Sequence, residues 1–355
     1  MRGCKVNPQR KRALPLIFST IVLFIVPLLT KKSDVLSLLF LIFLFVTLSQ
    51  SWNILGGYTG QVNLGHAAFF GLGALITRFL WLSGFPIIIT ILIGGISTLA
   101  FALLIGLPAF RLRGAYFVIG MLALSEVMRI IVATALPTVS SMPGKYIATK
   151  SHEPRYYLGL ALAVITVAIV FVLSRSKPGL AMVAIREDED TAEASGVNAF
   201  KYKLLALTLS SFIAGLAGGA FAFFHVSYYP EHPFSVHWTF DALFIAYIGG
   251  IGTVIGPIIG TVFYIGLREL FPYLFPQNLH TIVFGLLFIL VILLMPRGLV
   301  ELPKKAGMLL RMIGLNPAIL RFSKADVPSF GDREKSENEL ISKGVGFPVE
   351  ERERN

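Results

Sequence analysis

The chain has 355 residues, of which 55% are hydrophobic and only 14% charged. An ordinary soluble domain carries about 45–50% apolar and about 25% charged residues, so that class is excluded. The formal net charge of +11 does not point to nucleic acid, because the basic residues lie between apolar runs and not on one polar domain; lipid head groups and membrane topology account for them.

Residues 1–13 read as a basic cytoplasmic N-terminus, with Arg2, Lys5, Arg10, Lys11 and Arg12 ahead of the apolar run 14–30. No small-residue cleavage site follows that run, and Lys31 and Lys32 come directly after it, so an uncleaved first helix is expected and not a signal peptide. Cys4 stands before the run, where a lipoprotein cysteine would follow it, and as the single cysteine it excludes an internal disulfide. Further apolar runs occupy 35–55, 66–83, 86–107, 114–136, 156–174, 204–226, 240–268 and 279–295. Crossing a hydrocarbon core of about 30 Å takes roughly 20 helical residues, so most of these runs are spans.

Residues 2–12, Arg111 and Arg113, the segment 175–203, and Arg297 with Lys304 and Lys305 all face the cytoplasm under the positive-inside rule. Lys31, Lys32, Lys145, Lys150 and Arg155 run against it. The parity then requires 240–268 to be a re-entrant hairpin or two short passes. The expected fold is an all-α polytopic membrane protein with about eight full spans plus a re-entrant hairpin, or ten transmembrane helices, and both termini cytoplasmic. Beyond residue 300 the composition turns to mixed charge, and 301–355 reads as a solvated, disordered cytoplasmic tail.

Two stretches, 56–65 and 249–257, place glycine so densely that a continuous helix is disfavoured. Unwound backbone inside a bilayer is tolerated only where protein covers it or where it lines a water-filled cavity. Gly56, Gly57, Gly60, Gln61, Asn63, Gly65 and His66, with Gly249, Gly250, Gly252, Thr253, Gly256 and Pro257, are therefore candidates for a translocation path. Close helix packing by small residues is the other reading of the same positions. Both stretches begin Gly-Gly, a short match compatible with an internal duplication.

Residues 177–198 form the most informative cytoplasmic segment. Pro178 can start a helix, Leu180, Val183 and Ala184 give it an apolar side, residues 187–190 make it strongly polar, and Gly196 is a suitable stop. An ordinary solvated connection and a docking helix both fit these features. The runs Ala184-Ile185-Arg186-Glu187-Asp188-Glu189 and Glu193-Ala194-Ser195-Gly196-Val197-Asn198 resemble the coupling loop of branched-chain amino acid ABC permeases of the LivM-like type. The run from Trp52 to Ala74, Phe110-Arg111-Leu112-Arg113-Gly114-Ala115-Tyr116-Phe117 with Ser125, Glu126 and Arg129, residues 249–257, and Met295-Pro296-Arg297-Gly298-Leu299 continue the resemblance in order, so that about 35–300 is covered.

The resemblance implies a transmembrane permease domain over 14–300 in the cell inner membrane, whose loop 177–198 sits in a groove of a separate ATPase subunit. It implies two such ATPase subunits carrying ATP and Mg, a second, LivH-like permease subunit, and an extracytoplasmic solute-binding protein. The chain itself is expected to bind no cofactor and to be no enzyme: it has no GxxxxGK[ST] phosphate loop, no HExxH, no paired catalytic carboxylates within a span and no GxSxG elbow. Between Leu136 and Tyr157 it lacks the Thr-Gly-Gly stretch common in that family. Leucine, isoleucine and valine are the first expectation for the solute, with urea, short amides and other amino acids open.

Charges inside a span cost about 2.5–3.5 kcal/mol each on insertion scales. Glu126 and Arg129 are three apart on one helical face and are expected to form a structural ion pair, with substrate recognition as the alternative role. Arg78, near Trp81 and Ser83, is expected to snorkel outward, and Asp241 to start a helix at its outer mouth. His225, His232 and His237 lie in an outward segment, 224–238, whose spacing and prolines do not suit a zinc site. That segment reads either as a contact for a solute-binding protein or as an interfacial belt of Tyr228, Tyr229 and Trp238. An autonomous ion-coupled secondary transporter is the competing functional reading, and it would need Glu126 as its coupling carboxylate.

Overall fold

The computed structural model describes residues 23–27, 30, 32–136, 140–141, 152–225, 227–274, 285–286, 293 and 298–301. The runs predicted at 14–30 and 279–295, the stretch 137–151 and the tail 301–355 lie wholly or largely outside the described residues.

One helix is the axis for the others, because its sequence is apolar on every side. α1 (Ser33–Asn53) is buried all round from Phe43 onward and continues as a π-helical turn, Ile54–Tyr58. Its buried hydroxyls are satisfied within the helix: Thr47 Oγ1 donates to Phe43 O at 2.8 Å and Ser51 Oγ to Leu48 O at 2.7 Å. The path does not unwind at Gly56 and Gly57, as glycine density predicts. Both lie in the π turn, and the non-helical stretch runs from Thr59 to Gly65.

α2 (His66–Leu82), α3 (Ile87–Ala109) and α8 (Ala199–Phe224) form a tightly packed group beside α1. A Cβ on Gly73 would overlap the Gly215 backbone, and one on Gly218 would overlap the Phe70 carbonyl, so α2 and α8 meet backbone to backbone. Lipid tails are as apolar as leucine and do not drive helices together, so dispersion at this close approach is what holds the pair. Thr98 Oγ1 adds a hydrogen bond to Ser211 O at 3.0 Å between α3 and α8. α5 (Glu153–Leu173) packs on α1, with Tyr156 edge-on to Phe43 at 5.3 Å. α4 (Ala115–Ala135) is peripheral and buries only a narrow stripe, Phe117, Met121, Ser125 and Val132.

Among the described residues five helical stretches, α1 with its π turn, α3, α4, α5 and α8, are long and apolar enough to cross a membrane, and α2 is a shorter apolar helix. The chain is thus helical and polytopic; among the described residues the strands are two-residue pieces, β1 (Ser140–Ser141) and β2 (Ser227–Tyr228), paired antiparallel with Ser140 opposite Tyr228.

The run 240–268 resolves into two packed helices, α9 (His237–Gly249) and α10 (Gly256–Leu274), joined by the turn 250–255. α9 runs alongside the second half of α1: Trp238 stacks on Phe45 at 5.6 Å, Tyr247 meets Trp52 at 6.0 Å, and the turn reaches Asn53. Phe45 lies about 18 Å along α1 from Ser33, and the 13 residues of α9 cover about 20 Å. The α9 helix therefore begins near mid-depth of α1, and the segment before it dips inward.

That dip corrects two expectations. Tyr228 and Trp238 are not an interfacial belt: both are buried, Trp238 against Phe45, Phe70 and Phe221, while Tyr229 stays exposed. Phe234 is fully buried against Gly71, and its carbonyl accepts from Ser125 Oγ at 3.2 Å. Arg78 does not snorkel. It is 2% exposed, donates to Ala222 O and His225 O at 3.3 and 3.2 Å, and lies 5.5 Å from the ring centres of Trp81 and Tyr228. Carbonyls at the end of α8 and two aromatic faces supply the stabilisation that water would have given. Asp241, in the first half of α9, accepts from Tyr264 Oη at 2.5 Å and lies 3.8 Å from Arg268, so its main partners are on α10.

Candidate functional site

The predicted single helix over 177–198 is two helices, α6 (Lys177–Glu187) and α7 (Glu189–Ala194). Asp188 divides them. Its backbone is extended, it closes α6, and its Oδ1 accepts from Thr191 N at 2.7 Å to cap α7. That N–H bond favours the charged form and holds the Asp188 carboxyl below the usual carboxylate range. At the other boundaries Ser176 caps α6, Asn198 caps α8, and Gly196, at φ +84°, ends α7 with its N–H on Glu193 O at 2.9 Å.

Of the apolar side Leu180, Val183 and Ala184, only Val183 is partly buried against the core. Gly179, Met182 and Ile185 face inward with Ala192, while Ala184 is exposed and Leu180 is 62% exposed. Glu187 points outward with them. Glu193 and Ala194 are exposed on α7, and Glu189 is paired with Lys203 of α8, which anchors α7 to the membrane helix.

Arg186 turns the other way. Its Nη1 donates to Gly57 O at 2.9 Å and its Nη2 to Glu187 Oε1 at 2.8 Å. Gly57 lies in the last turn of the α1 path, where carbonyls run out of helical partners, and a guanidinium satisfies one of them. Three glycines make room for this contact. A Cβ on Gly60, at φ +73°, would stand 2.8 Å from Arg186 Cγ; one on Gly252, at φ +74°, 2.5 Å from Arg186 Nη1; and one on Gly57, 2.8 Å from Gly252 N.

The two glycine stretches are joined directly. Asn53 Oδ1 accepts from Gly252 N at 2.8 Å and Asn53 Nδ2 donates to Thr253 O at 3.0 Å, while Gln50 Nε2 donates to Val254 O at 2.5 Å. Thr253 Oγ1 closes the turn by donating to Gly250 O at 2.8 Å and accepting from Gly256 N at 3.0 Å. Gly249 ends α9, and Gly256 with Pro257 opens α10, so the unwound part is 250–255. Asn53 and Gln50 are the residues of this joint that the sequence reading missed. Two carboxamides three apart at the end of an apolar run, just before a glycine cluster, are the signal they offered.

Asn63, Gly65 and His66 of the first stretch make contacts within the chain. Asn63 O accepts from Trp52 Nε1 at 2.9 Å and Asn63 Oδ1 from Gly65 N at 2.8 Å; His66 Nε2 meets Ser51 Oγ at 2.8 Å; and Gly65 lies against Met121. Asn63, Gly65 and His66 are buried, Gln61 is half-buried and Gly60 exposed, while Trp52 packs against Gly56. The arrangement links three elements: Arg186 of α6 is bonded to the end of the α1 path and lies against the turn between α9 and α10.

Glu126 and Arg129 lie apart from this cluster. Arg129 Nε stands 3.1 and 3.0 Å from the two Glu126 oxygens and its Nη2 2.5 Å from Oε1. The inward-dipping segment brings Tyr229, Glu231, His232, Ser235, Val236 and His237 around the pair to form a cavity of about 480 Å³.

Comparison with known proteins gives the family. The model of a family described as "Branched-chain amino acid transport system / permease component" matches residues 35–292. The chain is 25% identical over 294 residues to the high-affinity branched-chain amino acid transport system permease protein LivM of Escherichia coli (strain K12), covering 74% of this chain and 68% of that protein. It is 26% identical over 295 residues to the protein of the same name in Salmonella typhimurium, with the same 74% and 68% coverage. With the probable branched-chain amino acid transport permease protein LivM of Methanocaldococcus jannaschii it shares 24% identity over 325 residues, 75% of this chain and 93% of that one. No solved structure matches the chain.

Proposed function

The chain belongs to the family of branched-chain amino acid transport system permease components, and on that premise we propose how it works as the membrane-spanning subunit of an ABC importer. It is a multi-pass protein of the cell inner membrane. It pairs with a second, LivH-like permease subunit to form the path, receives solute from an extracytoplasmic binding protein, and is driven by two ATPase subunits that carry ATP and Mg. Leucine, isoleucine and valine are its solutes. The topology is eight full spans with α9 and α10 as the hairpin, both termini are cytoplasmic, and residues 1–13 and 301–355 are cytoplasmic extensions.

The observation that carries this reading is the Arg186 contact. Loop 177–198 presents Leu180, Ala184 and Glu187 to its surroundings on one side and, through Arg186, grips Gly57 beside Gly252 on the other. An exposed leucine beside the exposed Ala184 on a short helix is suited to a groove in a soluble partner. Nucleotide-driven closure of that partner would shift α6, and Arg186 would carry the shift into both glycine stretches. An ion-coupled transporter would instead need a free deep carboxylate, and both Glu126 oxygens accept from Arg129.

The test is co-purification in detergent with the candidate ATPase subunits, comparing the native chain with Leu180→Asp combined with Ala184→Asp. Both positions are exposed and neither touches the Arg186 contact, so the variant should stay folded and lose the complex. A chain that never binds an ATPase and moves solute alone down an ion gradient contradicts the proposal.

A further inference from the structure

The Glu126–Arg129 pair is not used by the coupling path just described, and its position is unusual. Glu126 sits about 16 Å along α4 from Ala115, near the middle of a 21-residue span. A charged group at that depth is stable only if it faces protein or water. The pair does not face the interior of its own chain: the Arg129 and Glu126 side chains are 36% and 45% exposed. What they face is the cavity of about 480 Å³ formed with the segment 229–237.

That cavity holds charges of both signs at short range. Glu231, on the dipping segment, lies near enough to act electrostatically on Arg129, and His232 and His237 add two imidazoles to the wall. Tyr229 and Val236 supply apolar surface. The volume falls within the range of about 300–1,000 Å³ typical of small-molecule sites. A guanidinium fork is suited to one carboxylate bidentately; Glu126 holds it here, and Glu231 lines the same cavity, so the wall carries two carboxylates to one guanidinium. A solute carrying an ammonium and a carboxylate on the same carbon would relieve that excess: its carboxylate shares the Arg129 fork while its ammonium is accepted by Glu126 and Glu231. An uncharged solute such as urea offers neither exchange.

We propose that this cavity is a mid-membrane station for the moving solute and that it selects zwitterionic α-amino acids by their paired charges. The inference rests on the importer reading above and adds the place and chemistry of solute contact.

The experiment uses the complete importer in proteoliposomes with ATP and leucine-loaded binding protein. Cys4→Ser removes the native thiol, and Ser235→Cys places one in the cavity wall. Val236→Cys is a second probe should the first fail to assemble. Alkylation of this chain by a water-soluble maleimide is followed with and without solute. The expected result is reaction at position 235 or 236 that slows about fivefold or more when leucine is being moved and does not slow with urea. Arg129→Gln in the same background should abolish that protection. Steady leucine transport with unprotected alkylation overturns the station and leaves the importer reading standing. No alkylation in the assembled complex shows that another subunit seals the cavity and also overturns it. An importer that moves no amino acid removes the reading on which the inference rests.

Discussion

Replacing Asn53 with alanine tests the joint between the two glycine stretches. Its carboxamide makes two hydrogen bonds to the 250–255 turn, at 2.8 Å from Gly252 N and 3.0 Å to Thr253 O, and the residue is fully buried. Each such bond contributes about 0.5–1.5 kcal/mol net, and a group left without a partner in a buried site costs about 1–3 kcal/mol. Gly252 and Thr253 are only half-buried, so water compensates in part, and a local loss of about 2 kcal/mol follows for the two bonds together. Local opening of the turn should then rise roughly 30-fold, since about 1.4 kcal/mol is a factor of ten. Hydrogen exchange at the Gly252 amide in detergent, read by mass spectrometry, measures this. Unchanged exchange at Gly252 in Asn53→Ala would refute the joint.

Gly218→Val forces side-chain atoms into the Phe70 carbonyl and separates α8 from α2; overpacking and the lost backbone approach cost about 3 kcal/mol or more, and the variant should elute as aggregate by size exclusion. The Asp188 cap sets a pH dependence in the loop. Its carboxyl is held below the usual range in the folded state, so its stabilisation is present above the unfolded pKa and is lost as pH falls through the folded one. Exchange at the Thr191 amide, corrected for its intrinsic rate, should therefore increase on acidification below that range, and Asp188→Asn should remove the pH dependence.

The apolar spans were legible because a bilayer demands length and composition, and 66–83, 86–107 and 114–136 coincide closely with α2, α3 and α4. The site was legible as two glycine stretches and a polar loop ending at Gly196. What joins them was not. The role of Arg186 depends on a contact 129 positions away, and those of Asn53 and Gln50 on contacts about 200 away, which no local pattern encodes. The acidic run 187–190 hid the cap at Asp188, because a capping aspartate and a solvated one are the same letter. Which way Leu180 faces was not legible for a related reason: the packing surface takes Gly179 against the Leu173 carbonyl, and Leu180 stands outward. Arg78, Tyr228 and Trp238 were misplaced because a dipping segment looks like an outer loop until Phe234 is seen seated on Gly71.

The central claim is that Arg186 transmits motion of the coupling loop to the membrane helices. The direct measurement is leucine moved per ATP hydrolysed by the complete importer in proteoliposomes, native against Arg186→Gln. A hydrogen bond from a charged group contributes about 1.5–3 kcal/mol, and partial exposure of the side chain places this one at the low end. Leucine moved per ATP should fall about tenfold in Arg186→Gln with the ATPase subunits still bound. Native stoichiometry in Arg186→Gln, with the complex intact, would contradict it.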